Sequence, residues 1–204
     1  MKAFTRETSK IVVIPGVNCD TDQIIPARFI KADRQQGYGQ FLFHDIRRDT
    51  WGEFLPDFPL NRPGAAAATI MLAEDNFGCG SSREGAVYAL ADHGIRAVIA
   101  PSFGDIFFNN ALKNGLVPAR LPVALCDALA AHIASSPDAE VTVDLERNEV
   151  VLPGDMGTHP IHIDPFAREC ILRGLDEIEM TLTYTEQIQT FERSRIASLP
   201  WLGR

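Results

Sequence analysis

The sequence predicts a layered α/β fold with a mixed, partly parallel sheet flanked by helices. Two observations carry this. Between residues 67 and 135, apolar runs of strand length alternate with stretches of helical periodicity, the order that parallel pairing requires. Beyond residue 140, two short β-prone runs separated by a turn read as a hairpin, which adds antiparallel pairing.

Taken in order, Ile11-Val12-Val13-Ile14 is a strand that Pro15-Gly16 ends. Asn18 to Asp22 is polar and turn-forming. Its carboxylates, Asp20 and Asp22, suit Asx turns that cap the segment from Gln23, or a functional role. Residues 31–64 are the least regular third, with Gly37-Tyr38-Gly39, Asp49-Thr50-Trp51 and prolines and glycines between Pro56 and Gly64. A loop this long in a compact domain is functional or disordered, and its glycines predict mobility. Ala67 to Ala73 is a strand, Val87, Leu90 and Ala91 recur at helical spacing, and Arg96 to Ala100 is the next strand. Phe103 to Asn114 is a helix closed by Gly115, with Lys113 in its last turn. Leu116 to Ala119 leads out to the amphipathic helix from Val123 to Ser135, whose stripe is Leu125, Leu129 and Ile133. The hairpin spans Glu140 to Leu152 and turns at Arg147-Asn148. Ile161-His162-Ile163 is a candidate further strand. A short helix with Phe166, Ile171 and Leu172, then a last one from Thr185 to Ser198, are read as covering the body. No repeat or linker interrupts the chain, so residues 1–204 are read as one domain.

Composition narrows the function classes. Hydrophobic residues are 46% of the chain, as in an ordinary soluble core. No apolar run approaches the ~20 residues of a membrane span, and the N-terminus lacks a signal-peptide apolar region, so a cytoplasmic protein is expected. A net charge of −8 without any Lys/Arg block argues against nucleic acid. An anionic ligand then needs a locally basic site, for which Arg28, Lys31, Arg34 and Arg83 are the candidates. Cys19, Cys79, Cys126 and Cys170 are scattered, form no Cys-x-x-Cys pair, and do not cluster with the histidines. They read as buried or free thiols, and no metal is expected on this chain.

The motif around which the chain is organised is Asn76-Phe77-Gly78-Cys79-Gly80-Ser81-Ser82-Arg83-Glu84, between a strand and a helix. Gly78 and Gly80 let a ligand approach the backbone. Ser81 or Ser82 is a good N-cap, the helix start favours an anion, and Arg83 adds a fork that matches a carboxylate or phosphate. An N-capped helix with Arg83 and Glu84 solvated is the plainer reading. The stretch is not a Walker A loop, a dinucleotide fingerprint or a nucleophile elbow. A carboxylate site survives these exclusions.

Asn18 to Phe29, Asn76 to Glu84, Ala100 to Asn110 and Lys113 to Leu116, in this order, resemble the 3-isopropylmalate dehydratase small subunit. That family is the stand-alone counterpart of the aconitase swivel domain, and the likeness runs from about residue 4 to residue 196. It implies a β/β/α swivel-type domain and a hydro-lyase of leucine biosynthesis. Ser81 is then the base that takes and returns a proton, with Arg83 and Asp22 as the other catalytic residues. Ser82, Arg34, Gly80 and Arg28 bind a small hydroxy-dicarboxylic acid, Arg34 clamping from the 31–64 loop. The Lewis acid is a 4Fe-4S cluster on a separate large subunit, and the site is completed in a heterodimer or heterotetramer.

The sequence departs from the family once. Members usually continue with His-Ala-Pro-Trp after the Glu, where this chain has Gly85-Ala86-Val87-Tyr88. The departure leaves open a related substrate, such as methylmalate/citraconate, dimethylmalate or homoaconitate. A swivel-fold binding module without chemistry is the alternative from another class.

Overall fold

The strand ending in Ile11-Val12-Val13-Ile14 extends back through the polar Arg6-Glu7-Thr8-Ser9-Lys10, and this β1 (Arg6–Ile14) is where the sheet changes character. A computed structural model describes residues 1–199 and 201. After β1 come the one-turn helix α1 (Thr21–Ile24) and, across residues 27–67, five short 3-10 turns. Then follow β2 (Ile70–Ala73), α2 (Gly85–His93), β3 (Ala97–Ala100), α3 (Asp105–Lys113), β4 (Val117–Arg120) and α4 (Val123–Ser135). β5 (Glu140–Asp144), β6 (Glu149–Val151) and β7 (Thr158–Pro160) precede α5 (Pro165–Arg173), α6 (Glu177–Leu182) and α7 (Thr185–Ser198).

The strands form one mixed sheet in the order β4-β3-β2-β1-β5-β6-β7. The second half of β1 runs parallel to β2, Ile11 opposite Ile70 and Ile14 opposite Ala73. Its first half runs antiparallel to β5, Arg6 opposite Asp144 and Lys10 opposite Glu140. β2, β3 and β4 continue in parallel, whereas β5, β6 and β7 form an antiparallel meander.

Side chains alternate across the parallel half. Val12, Met71 and Val98 join one core with Val87 and Leu90 of α2 and Phe107 of α3. Ile11, Ile70 and Ile99 join the other with Leu129 and Ile133 of α4 and Val141 and Val143 of β5. Both faces are covered, which is why these strands read as unbroken apolar runs. Helix α3 ends in a Schellman turn, Leu116 N donating to Ala111 O at 3.0 Å and Gly115 N to Leu112 O at 3.3 Å.

Three local expectations need correction. The strand expected from Ala67 starts at Ile70, because Ala65–Ala67 wind into a 3-10 turn. Alanine favours a helical backbone, and strand geometry begins only with Ile70. The strand expected at 161–163 is instead Thr158–Pro160, in register with Glu149 to Val151, and Ile161 and Ile163 bury their side chains just beyond it. Helix α7 does form over Thr185–Ser198, but none of its residues is buried and it covers no core. The 31–64 segment has no long element, yet Tyr38, Leu42, Phe43, Arg47 and Leu60 anchor it by burial.

Candidate active site

The loops after β1, β2 and β3 meet beyond the carboxyl ends of these parallel strands, the place where open α/β sheets present ligand sites. Single bridges join Asp20 to Cys79 and Phe77 to Phe103. Around them, Gly78 N donates to Cys19 O at 2.7 Å, Thr21 N to Cys79 O at 2.9 Å, and Gly104 N to Phe77 O at 2.9 Å. The buried Phe77 ring meets Phe107 edge-on at 5.4 Å, so the turn is wedged on the core while its rim faces out. Gly78 has φ +74°, and a Cβ there would lie 2.3 Å from the Phe107 ring. Gly80 has φ +100° and is exposed, and a Cβ on it would touch Asp20 at 3.4 Å.

On this rim, Ser81 Oγ lies 2.9 Å from Thr21 Oγ1, and Ser81 N donates to that same oxygen at 3.2 Å. Neither Ser81 nor Ser82 caps α2. Glu84 occupies the N-cap in an already helical conformation, with no side-chain cap bond. The Ser81 hydroxyl is engaged by Thr21, and two further residues separate it from the cap. Ser82 is exposed, and its carbonyl accepts from Asn110 Nδ2 of α3 at 3.4 Å. Arg83 places both terminal nitrogens on the Asp22 carboxylate, one at 2.7 Å. Asp22 also accepts from Ala27 N at 3.2 Å. The Arg83 hydrogen bond holds the Asp22 carboxyl below its usual range, and the same bond raises Arg83.

The structure thus brings Asp22, Gly80, Ser81, Ser82 and Arg83 onto one rim. Arg34 and Arg28 make their bonds elsewhere. The Arg34 fork rests on Asp92 of α2, Nη2 to Oδ1 at 3.2 Å, with its guanidinium 4.4 Å above the Tyr88 ring and 5.2 Å from Tyr38. Tyr88 links it back to the rim by donating to Glu84 Oε2 at 2.7 Å. Arg28 stacks on Phe29 at 4.5 Å and binds Asp45, Nη1 to Oδ2 at 2.6 Å. That bond, with a second from His44, lowers the Asp45 carboxyl to about 2. Each of the three candidate arginines therefore has a carboxylate partner, and the basic field expected of them is internally balanced.

Thr21, Asp92 and Asp45 are functional candidates that sequence reasoning did not single out. Thr21 lies inside the Asn18 to Asp22 stretch, where the two carboxylates drew attention to themselves. Asp92 stands four residues after Tyr88 on α2, a spacing that shares a helix face but does not reveal the loop packed on it. Among the described residues, no group of three or more His, Cys, Asp or Glu is placed to hold a metal. Burial pushes the Cys19 thiol up to about 12 and Cys126 to about 11, and raises Cys170.

Residues 1–124 match the model of the aconitase C-terminal domain family. The chain is 46% identical over 202 residues to the 3-isopropylmalate dehydratase small subunit of Paramagnetospirillum magneticum, covering 99% of this chain and 100% of that one. The chain belongs to the 3-isopropylmalate dehydratase small-subunit family. A second relative carrying this name, from Granulibacter bethesdensis, is 48% identical over 204 residues, covering 100% of this chain and 97% of its own. The crystal structure of a 3-isopropylmalate dehydratase from Methanocaldococcus jannaschii superposes with a TM-score of 0.62 at 26% identity, covering 92% of this chain and 99% of that one. Small-subunit relatives imply a larger partner subunit, and no helix among the described residues is long and apolar enough to cross a membrane.

Proposed function

We propose that the chain is the small subunit of a hydro-lyase that isomerises 2-isopropylmalate to 3-isopropylmalate in leucine biosynthesis, by dehydration and rehydration. The observation that carries this reading is the Thr21–Ser81 hydroxyl pair held beside Arg83–Asp22 on an outward rim. Dehydration removes a proton from the carbon next to a carboxylate and hydroxide from its neighbour. This chain offers the base and the cations that hold the carboxylate as charge builds on it.

Ser81 Oγ takes the proton and returns it. Thr21 Oγ1 accepts the Ser81 N–H and lies 2.9 Å from Ser81 Oγ; in the state where Thr21 donates to that oxygen, the bond favours the charged form of the base. Ser82 and Arg83 hold the carboxylate, Asp22 fixes the plane of the Arg83 fork, and Gly80 leaves room for the acid to approach. Arg34, from the 31–64 loop seated on α2, and Arg28, just before that loop, offer further N–H donors to the acid within a single domain. By family resemblance we assign the 4Fe-4S cluster to the larger subunit, which would face the Ser81 rim.

The test is reconstitution with a large subunit under anaerobic conditions, following absorbance of the unsaturated acid. Ser81→Ala abolishes turnover while leaving assembly intact; a variant that still turns over would remove Ser81 from the role of base. A second reading, a related hydroxy acid as substrate, draws on Gly85. The atoms nearest a Cβ there would belong to Ile30, Ile25 and Tyr38, at 3.7–3.8 Å, an apolar wall where the family has its histidine. A panel of 2-alkylmalates on the reconstituted complex ranks the two readings.

A further inference from the structure

We propose that Asp92, Tyr88 and Tyr38 are positioning residues that hold Arg34 as a preset fork for a substrate carboxylate. This rests on the reading of Arg34 as a substrate ligand and adds the device that makes it one. A free arginine on a Gly-flanked loop must lose rotamer freedom each time it binds an acid. Here that ordering is already done. Asp92 receives both terminal nitrogens, Tyr88 covers the guanidinium face at 4.4 Å, and Tyr38 lies at 5.2 Å. Nη1 and Nη2 each keep a second N–H, and Nε–H is not engaged by Asp92, so a side edge of the fork can still bind an acid. The side chain is 46% exposed, so solvent reaches it.

The loop is fixed to α2 by the same carboxylate. Asp92 Oδ2 accepts Tyr38 N at 2.7 Å, and Tyr38 donates its hydroxyl to Ile30 O at 2.9 Å and Ala32 O at 3.2 Å. A Cβ on Gly39 would lie 2.7 Å from the Asp92 and His93 backbone, so only glycine lets the loop come this close. The Tyr88 hydroxyl bond to Glu84 carries the alignment to the residue after Arg83. Loop, helix and rim are one connected unit, with Asp92 at its centre.

The test is a double-mutant cycle on the reconstituted two-subunit enzyme, with KM and kcat read separately. Asp92→Asn keeps an acceptor for Tyr38 N–H but removes the charge that aligns the fork. The expected result is a rise of about tenfold in KM with kcat little changed, and no further rise when Asp92→Asn is added to Arg34→Ala. Arg34→Lys keeps the charge without the fork and recovers little of the loss. A KM for Asp92→Asn that is unchanged or lower would overturn the proposal, as would an equal cost in the Arg34→Ala background. Arg34→Ala with an unaltered KM removes Arg34 as a ligand, and the positioning role with it. A raised KM for Arg34→Ala with no effect at Asp92 leaves the ligand and discards only the positioning. Melting temperature checks folding of each variant, and Tyr88→Leu supplies the same cycle should Asp92→Asn fail to fold.

Discussion

At the scale of single residues, the candidate site and the segment beside it are held by side-chain pairings. Ser81 meets Thr21, Arg83 meets Asp22, Arg34 meets Asp92, and Arg28 meets Asp45. Asp45 gives a pH prediction with a definite sign. Its carboxyl is lowered to about 2 in the folded chain, first by the Arg28 hydrogen bond. Its contribution to stability is therefore complete above the ordinary carboxylate range near ~3.9, and is lost as pH falls from there towards about 2. Both side chains are about half exposed, so solvent screening keeps the effect small. Arg28→Met should flatten this part of the acid stability profile measured by denaturant titration. Gly78 gives a stronger test. An alanine there meets both a positive φ and the Phe107 ring at 2.3 Å, and should cost at least ~2 kcal/mol in thermal unfolding.

At the scale of elements, burial separates two helices of nearly equal length. Helix α4 buries Cys126, Leu129 and Ile133 against the sheet, whereas α7 buries none of its residues. Leu129→Ala should lose about 2–5 kcal/mol by removing core volume. Phe191→Ser, at a side chain 62% exposed, should move the melting point of the isolated chain little, by ~0.5 kcal/mol or less in stability. A large loss at Phe191 would show that α7 packs on the body in solution. Leu129 and Ile133 of the α4 stripe were readable from spacing, as were both ends of that helix and of α7, whereas Cys126 is buried where Leu125 was expected. What covers each helix was not readable, because periodicity records that a face is apolar without recording what it meets.

At the scale of the whole molecule, the sheet is two constructions sharing β1. The parallel half is buried on both faces and carries the site at its carboxyl ends, while the antiparallel half extends the opposite edge. Native-state hydrogen exchange should therefore be slowest in β1, β2 and β3 and fast along α7. Uniform protection across both regions would contradict this hierarchy.

The sequence by itself determined the alternation of strands and helices, the hairpin near Asn148, and the Gly-rich turn bearing Ser81, Ser82 and Arg83. These are local properties, set by periodicity, turn chemistry and residue type over a few positions. Only the tertiary structure decided that Thr21 faces Ser81, that Arg28, Arg34 and Arg83 each have their own carboxylate, and that residues 34–39 lie on α2. Those contacts join residues up to 61 positions apart. Their geometry depends on three parallel strands ending side by side, which no spacing along the chain encodes.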